Sequence, residues 1–282
     1  MKKLASLVLA GAMAFSLAAC GNNSTPAGGS SANAGTSTPA ASTPASGGIE
    51  PIELTIYSPG NENSVPTKTI IEYARLVNEA SDGAITLDVH HSNELGSDAE
   101  SIESTRMGTI DLIFAGTSGF TSFYEKAKVL DLPFLFTSYE HAHAVLDGEI
   151  GQNLMSKLDD IGIVGGAFWE NGFREMTNSK HPINSVADCA GLKIRCMENQ
   201  VHMDAFSALG MDPTPMAWSE VFTALQTGTY DGQENPLPTA DGASIAEVQK
   251  YVTYWTGVYD CIFFTMNADL YNSLSPELQA IV

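Results

Sequence analysis

From residue 52 onward, the hydrophobic positions alternate between short runs with strand character and longer segments with helical spacing. The first part predicts three strands and two helices: strands at 52–57, 84–89 and 110–114, and helices at 66–83 and 97–107. Proline opens the first helix and glycine closes it, and the second begins on a capping-box pair, Ser97 and Glu100. This βαβαβ order predicts a mostly parallel sheet, with ligands at the carboxyl ends of its strands.

The rest of the chain repeats this alternation. It predicts strands at 174–177 and 192–196, helices at 200–209 and 219–227, and a long β-rich run at 251–266 that returns to the first unit. We therefore expect an α/β protein of two domains with a shared cleft, the first lobe being 49–172 plus about 261–282 and the second 173–260. Ser275 begins a last helix, and we expect a further helical segment beyond residue 282.

The first 48 residues differ in composition from the rest. Lys2 and Lys3 precede an apolar run at 4–19, and small residues lead to Cys20. Residues 1–20 resemble a bacterial lipoprotein signal in which Cys20 is the lipid anchor, and an ordinary secretory peptide with an incidental cysteine is the alternative. Residues 21–48 are almost wholly Gly, Ser, Thr, Pro, Ala and Asn, which predicts a disordered tether. We expect the protein at the outer face of the bacterial cytoplasmic membrane or in the periplasm.

The chain is strongly acidic, with 33 acidic against 13 basic residues and a net charge of −20. Such a surface repels phosphate backbones, so nucleic acid is excluded as a partner. Of the cysteines after Cys20, Cys189 and Cys196 suit either a disulfide of an exported protein or two buried free thiols. His141 and His143 lack a third ligand nearby, which disfavours a metal, and we expect no cofactor.

Two of the four arginines have surroundings that suit anion binding. Arg195 ends an apolar strand, and Arg174 lies among aromatic and amide residues. A guanidinium held in such a strand is suited to gripping a planar carboxylate with two parallel hydrogen bonds. The residues alone therefore favour a receptor for a small anion, although a surface ion pair of Arg195 with a nearby acid is the alternative.

From about residue 52 to 282 the sequence resembles the solute receptors of tripartite ATP-independent periplasmic (TRAP) transporters, the dicarboxylate-receptor family. The blocks that carry the resemblance are NELGSDAESIESTRMGTIDL, VLDLPFLF, FWENGFREMTNSKHPI, GLKIR, MAWSEVFTALQTG and YDGQENP. The resemblance implies a periplasmic-binding-protein-like fold of two domains, each a mixed sheet flanked by helices, with the ligand in the cleft between them. It also implies delivery of an organic acid to the membrane permease subunits.

The resemblance assigns a role to each matched position. It implies a bidentate carboxylate contact for Arg195, help from Arg174, a hydrogen bond from Asn235 and an aromatic wall at Trp218. It further implies that Glu103 contacts polar ligand groups and that Trp169, Thr117 and Ser118 line the cleft. Without the resemblance, Asn235 is equally a turn former, Trp218 a core residue and Glu103 a solvated helix residue.

Two other functions share this build. One is a surface-anchored sensor that binds an acid without delivering it, and the other is an anchored α/β hydrolase. The sequence has no G-x-S-x-G, H-E-x-x-H or Cys-His signature, which disfavours an enzyme.

Overall fold

The computed structural model describes residues 51–282. The predicted signal peptide, the anchor Cys20 and the tether lie outside the described residues. The eight strands are β1 Ile52–Tyr57, β2 Ile85–His90, β3 Leu112–Gly116, β4 Ile163–Asn178, β5 Lys193–Cys196, β6 Asp212–Pro215, β7 Gly232–Pro236 and β8 Tyr251–Asn267. The ten α-helices are α1 Val65–Ala80, α2 Asp98–Arg106, α3 Thr117–Phe120, α4 Tyr139–Leu146, α5 Glu149–Ser156, α6 Gln200–Ala208, α7 Trp218–Gln226, α8 Leu237–Gly242, α9 Ala268–Ser273 and α10 Pro276–Gln279. Four 3-10 helices complete this part of the chain: Glu125–Asp131, Leu158–Ile161, Val186–Cys189 and Ile245–Glu247.

The strands form one sheet in the order β2-β1-β3-β8-β4-β7-β5-β6. Parallel pairs occupy its two ends, where β1 pairs with β2 and β3, and β5 pairs with β6 and β7. The middle is antiparallel, because β8 runs opposite to β3 and β4, and β4 opposite to β7. The three strands of the βαβαβ start pair in parallel as predicted, and the sheet as a whole is mixed, as the resemblance implied.

Strands β4 and β8 are long enough to belong to both halves of the molecule. Residues 163–174 of β4 pair with 258–267 of β8, and residues 176–178 pair with 251–253. The register of this pairing shifts at Gly165/Ala167, Glu170/Gly172 and Arg174/Met176. The lobe boundaries expected at 172 and 261 thus fall inside these two strands. The two lobes flank a cleft and share one continuous sheet.

The first half of the sheet is covered on both faces. Leu112 and Phe114 of β3 join one core cluster with residues of α1 and the last helices, whereas Ile113 and Ala115 join another with residues of α2 to α5. Side chains alternate between faces along a strand, so each strand feeds both cores. Smaller clusters around Ile194 and around Val221 hold the second half.

Local sequence signals explain where several elements begin. Ser97 accepts a hydrogen bond from the backbone N–H of Glu100, and the Glu100 carboxylate accepts one from the N–H of Ser97, so α2 starts on the predicted capping box. Cys189, Cys196 and Cys261 are buried free thiols. Residues 51–282 contain no helix with the length and hydropathy needed to cross a bilayer.

Candidate functional site

A cavity of about 260 Å³ lies where strands of both halves end. The C-terminal ends of β3, β5 and β7 and the first turns of α2 and α7 contribute to its wall. Its charged lining residues are Asp98, Arg174, Arg195, Glu198 and Asp260. Open α/β sheets bind ligands at the carboxyl ends of their strands, and this cavity follows that rule.

Arg195 lies on β5 and is 4% exposed. Its Nε and Nη2 donate to the carbonyl oxygen of Met216 at 2.9 and 2.6 Å, which fixes the plane of the guanidinium. Nη1 is buried and has no hydrogen-bond partner among the described residues. Because a guanidinium has five N–H groups, two on Nη1 and one on Nη2 have no acceptor within residues 51–282. Burial, followed by the like charge of Arg174, lowers the pKa of Arg195 to about 10.

Trp218 is the first residue of α7 and lines the cavity. The Arg195 guanidinium carbon lies 5.6 Å from the centre of its ring, within the range of a cation–π contact. Trp218 also packs against the core cluster around Val221, so it is at once a core residue and a cavity wall. The two alternatives for Trp218 are therefore not exclusive.

Arg174 lines the same cavity but its hydrogen bonds are made within the protein. Its Nε and Nη2 bind the carboxylate of Glu234, and Nη1 donates to Asp260 Oδ2 at 2.5 Å. Burial lowers its pKa, but the charges of Glu234 and Asp260 outweigh burial, so the pKa of Arg174 lies above its usual value. Only one N–H of Nη1 is left over, so Arg174 has little capacity for a further anion.

Asn235 lies on β7 in register with Glu175 of β4 and lines the cavity. Its side-chain amide donates to Gln233 Oε1 at 2.9 Å, which leaves one N–H for another acceptor. The position is a strand residue rather than a free turn. The structure thus brings Arg195, Arg174, Asn235 and Trp218 together in one wall.

The acidic side of the cavity was not found from the sequence. Asp98 opens α2 beside the capping box, and Asp260 lies on β8. Burial and then the Asp260 carboxylate raise the pKa of Asp98 to about 7. Burial, opposed by the charge of Arg174, also raises the pKa of Asp260. Asp98 lies in the block NELGSDAESIESTRMGTIDL, where the sequence shows a polar residue at the start of a helix. Nothing in the sequence indicates that Asp260 lies beside it.

Ser118 lines the cavity, whereas the adjacent Thr117 is turned away from it. Thr117 Oγ1 donates to Asp131 Oδ1 at 2.7 Å, and Asn199 Nδ2 donates to Asp131 Oδ2 at 2.5 Å. Asp131 belongs to the first half and Asn199 to the second, where it also caps α6. The Asn199–Asp131 hydrogen bond therefore ties the two halves together beside the cavity.

Two further polar contacts bridge the halves at the other side. Asn61 Nδ2 donates to the carbonyl of Gly242 at 2.8 Å, and Asn93 Nδ2 donates to Ser219 Oγ at 2.9 Å. Each joins a loop of the first half to a residue beyond β5. In addition to the shared strands β4 and β8, a few side-chain amides thus connect the two halves across the cleft.

The structure places Glu103 and Trp169 outside this cavity. Glu103 pairs with Arg106 at 2.5 Å on the surface of α2 and is 46% exposed, so it is not part of the wall. Trp169 packs edge-on against Phe114, with ring centres 4.9 Å apart, and Phe114 rather than Trp169 lines the cavity. Trp169 instead borders a smaller pocket with His143 and Glu170. Glu103, Trp169 and Thr117 are thus not among the residues that line this cavity.

Comparison with known proteins places the chain in one family. Residues 58–282 match the family model described as bacterial extracellular solute-binding protein, family 7. A solute-binding protein of Verminephrobacter eiseniae is 43% identical over 222 residues, which are 78% of this chain and 66% of that protein. The 2,3-diketo-L-gulonate-binding periplasmic protein YiaO of Escherichia coli is 37% identical over 204 residues, 72% of this chain and 62% of that protein. The chain thus spans less than two thirds of the length of these relatives.

Solved structures agree with the fold. The sugar acid binding protein DctPAm of Advenella mimigardefordensis, in complex with galactonate, superposes with a TM-score of 0.80 at 37% identity, covering 83% of this chain and 75% of that one. A TRAP periplasmic solute binding protein of Polaromonas, bound to D-erythronate, has a TM-score of 0.79 at 39% identity, covering 81% and 76%. The chain belongs to family 7 of the bacterial extracellular solute-binding proteins, the DctP family.

Proposed function

We propose that this protein is an extracytoplasmic receptor that captures a small organic acid by its carboxylate and delivers it to the membrane subunits of a TRAP-type transporter. The observation that carries the proposal is the Arg195 guanidinium, buried in the cavity with Nη1 unpartnered and its plane fixed by Met216. A buried cation without a counter-ion is costly, and a ligand carboxylate supplies one. Several relatives in this family are named for the acids that they bind.

The free N–H groups of Arg195 suit a two-pronged contact. One N–H of Nη1 and the remaining N–H of Nη2 lie on the same edge of the guanidinium and match the two oxygens of a carboxylate. Asn235 is placed to add a third bond and Trp218 an apolar wall. Each charge-assisted hydrogen bond contributes about 1.5–3 kcal/mol, and micromolar affinity needs about 8 kcal/mol, so these contacts account for most of the binding.

Delivery to a transporter needs a form that differs between the loaded and empty receptor. The amide contacts across the cleft make such a difference possible, because a bound solute adds further bonds between the same halves. A permease distinguishes the two forms only by its different affinity for each. We further propose that a lipid on Cys20 holds the receptor at the outer face of the cytoplasmic membrane. Loss of membrane retention in a Cys20→Ala variant is the expected result.

A thermal-shift screen against about a hundred organic acids tests the receptor function, because a ligand that binds only the folded state raises its melting temperature. We expect at least one acid to stabilise the wild-type protein and to leave Arg195→Met unshifted. Arg195→Met is the appropriate comparison because it keeps side-chain length and removes the charge. An acid that stabilises both proteins equally would rule out Arg195 as the binding group.

A further inference from the structure

The cavity contains a second, acidic group of residues that the capture of one carboxylate does not use. A Cβ atom placed on Gly116 would lie 3.8 Å from Asp98 Oδ2 and 3.9 Å from Asp260 Oδ1. The two carboxylates therefore face the same space above Gly116. Because Gly116 has no side chain, this space stays open to a ligand.

Both carboxylates have unused acceptor capacity. Asp260 Oδ2 accepts from Arg174 and Asn171, but the buried Oδ1 has no partner in the part of the chain that the structure describes. Across residues 51–282, no hydrogen bond reaches the side chain of Asp98. Asp260 Oδ1 is buried without a donor, which is costly, so a ligand that donates hydrogen bonds at this point is favoured.

The charges around this space disfavour a second anionic group. Arg174 is already paired with Glu234 and Asp260, so Arg195 is the one cavity cation without a carboxylate partner among residues 51–282. Within residues 51–282, Asp98 forms no salt bridge, and the exposed Glu198 adds a further negative charge nearby. A ligand with two carboxylates would place one of them on Arg195 and the other near unpaired acids.

We propose that the solute is a monocarboxylic acid with hydroxyl groups along its chain, and that Asp98 and Asp260 accept hydrogen bonds from those hydroxyls. Dicarboxylates are then disfavoured, because their second carboxylate would meet Asp98, which forms no salt bridge within residues 51–282. This inference rests on the proposed function, since it takes the carboxylate to be held at Arg195. The bound galactonate and D-erythronate of the solved relatives have this chemistry in those proteins.

The test compares four acids of equal chain length by calorimetry: D-erythronate, butyrate, succinate and 4-aminobutyrate. They present hydroxyls, no polar group, a second carboxylate and an ammonium, respectively. We expect D-erythronate to bind at least tenfold more tightly than each of the others. D-galactonate against galactarate repeats the comparison with six carbons, and the monoacid is again expected to bind at least tenfold more tightly.

Two variants locate the effect. Asp98→Asn removes the negative charge at similar size, and the preference for D-erythronate over succinate should fall at least tenfold. Gly116→Ala fills the space between the carboxylates, and the backbone angle of −64° at Gly116 accepts alanine without strain. Its affinity for D-erythronate should fall at least fivefold while its melting temperature without ligand is unchanged.

Each other result overturns the inference. Succinate or butyrate binding as tightly as D-erythronate would show that Asp98 and Asp260 do not recognise hydroxyls. Tighter binding of 4-aminobutyrate would show that these two carboxylates bind an ammonium group instead. Failure of all six acids to bind also overturns it. The proposed function falls separately, only if the broader screen finds no acid that stabilises the wild type more than Arg195→Met.

Discussion

Arg195 and Arg174 line the same cavity, but they have opposite surroundings. Arg174 has two carboxylate partners, whereas Arg195 has a single carbonyl oxygen and a partnerless Nη1. Both side chains are almost fully buried, at 1% and 4% exposure, so burial does not separate them. The number of acidic neighbours does, and it leaves Arg195 with more free N–H groups for a ligand than Arg174.

The largest effect should come from removing Arg174. In Arg174→Leu, the buried carboxylates of Glu234 and Asp260 lose their counter-charge, and breaking such a pair from one side costs about 3–5 kcal/mol. The free energy of unfolding, measured in urea without any solute, should fall by that amount. An Arg174→Leu protein as stable as the wild type would show that the salt bridges of Arg174 do not stabilise the fold and do not distinguish it from Arg195.

The corresponding change at Arg195 should affect binding instead of stability. Arg195→Lys keeps a positive charge but cannot present two N–H groups on one planar edge. We expect the affinity for the acid found by screening to fall at least tenfold, with little change in the melting temperature without ligand. Calorimetry and thermal unfolding on the same sample separate the two effects, and undiminished binding would remove Arg195 from the site.

A smaller effect should follow from weakening the contact between the halves. Asn199→Ser keeps a capping group for α6 but does not reach Asp131, which lies opposite Asn199 beside the cavity. A net hydrogen bond contributes about 0.5–1.5 kcal/mol, so the affinity should fall about threefold to tenfold, mainly through faster release. Stopped-flow dissociation is the measurement, and Gln200→Ala at the next, exposed position is the control. A dissociation rate equal to that of the control would mean that this contact does not stabilise the bound form.

The last prediction concerns pH and the acidic side of the cavity. The pKa of Asp98 is raised in the folded protein to about 7, by burial, Asp260 and Glu198 against the opposing charges of Arg195 and Arg174. The folded state then holds a proton that the unfolded state releases near pH 4, so this residue lowers stability as pH rises from about 4 to about 7. The melting temperature of Asp98→Asn should therefore fall less over this range than that of the wild type. Parallel curves would show that Asp98 titrates normally.

Much of the fold followed from local signals. The capping box of α2 and the strands β1 and β5 are where the sequence predicted them, because caps and apolar runs act over a few residues. Strand β4 is much longer than the predicted 174–177. Glycines in this stretch obscure the strand pattern in the sequence. A Cβ atom on Gly166 would lie 2.8 Å from the ring of Phe264 on β8, so this close contact requires glycine.

The sequence indicated cavity residues where one residue type suffices, and it did not indicate them where two distant residues act together. Arg195 was recognisable as an arginine in an apolar strand, but the pairing of Arg174 with Glu234 and Asp260 depends on neighbouring strands. On α2, the resemblance implied a ligand contact for Glu103, whereas Asp98 is the residue that lines the cavity. The two positions are five residues apart, which corresponds to a rotation of roughly 140° around the helix. Only the packing of α2 decides which of those faces meets the cavity.

A crystal structure with the acid identified by screening tests the central claim most directly. The account predicts one carboxylate oxygen within hydrogen-bond distance of Arg195 Nη1 and the other of Nη2, with the solute against Trp218. A solute whose carboxylate lies elsewhere, with Nη1 of Arg195 bound only to water, would contradict it.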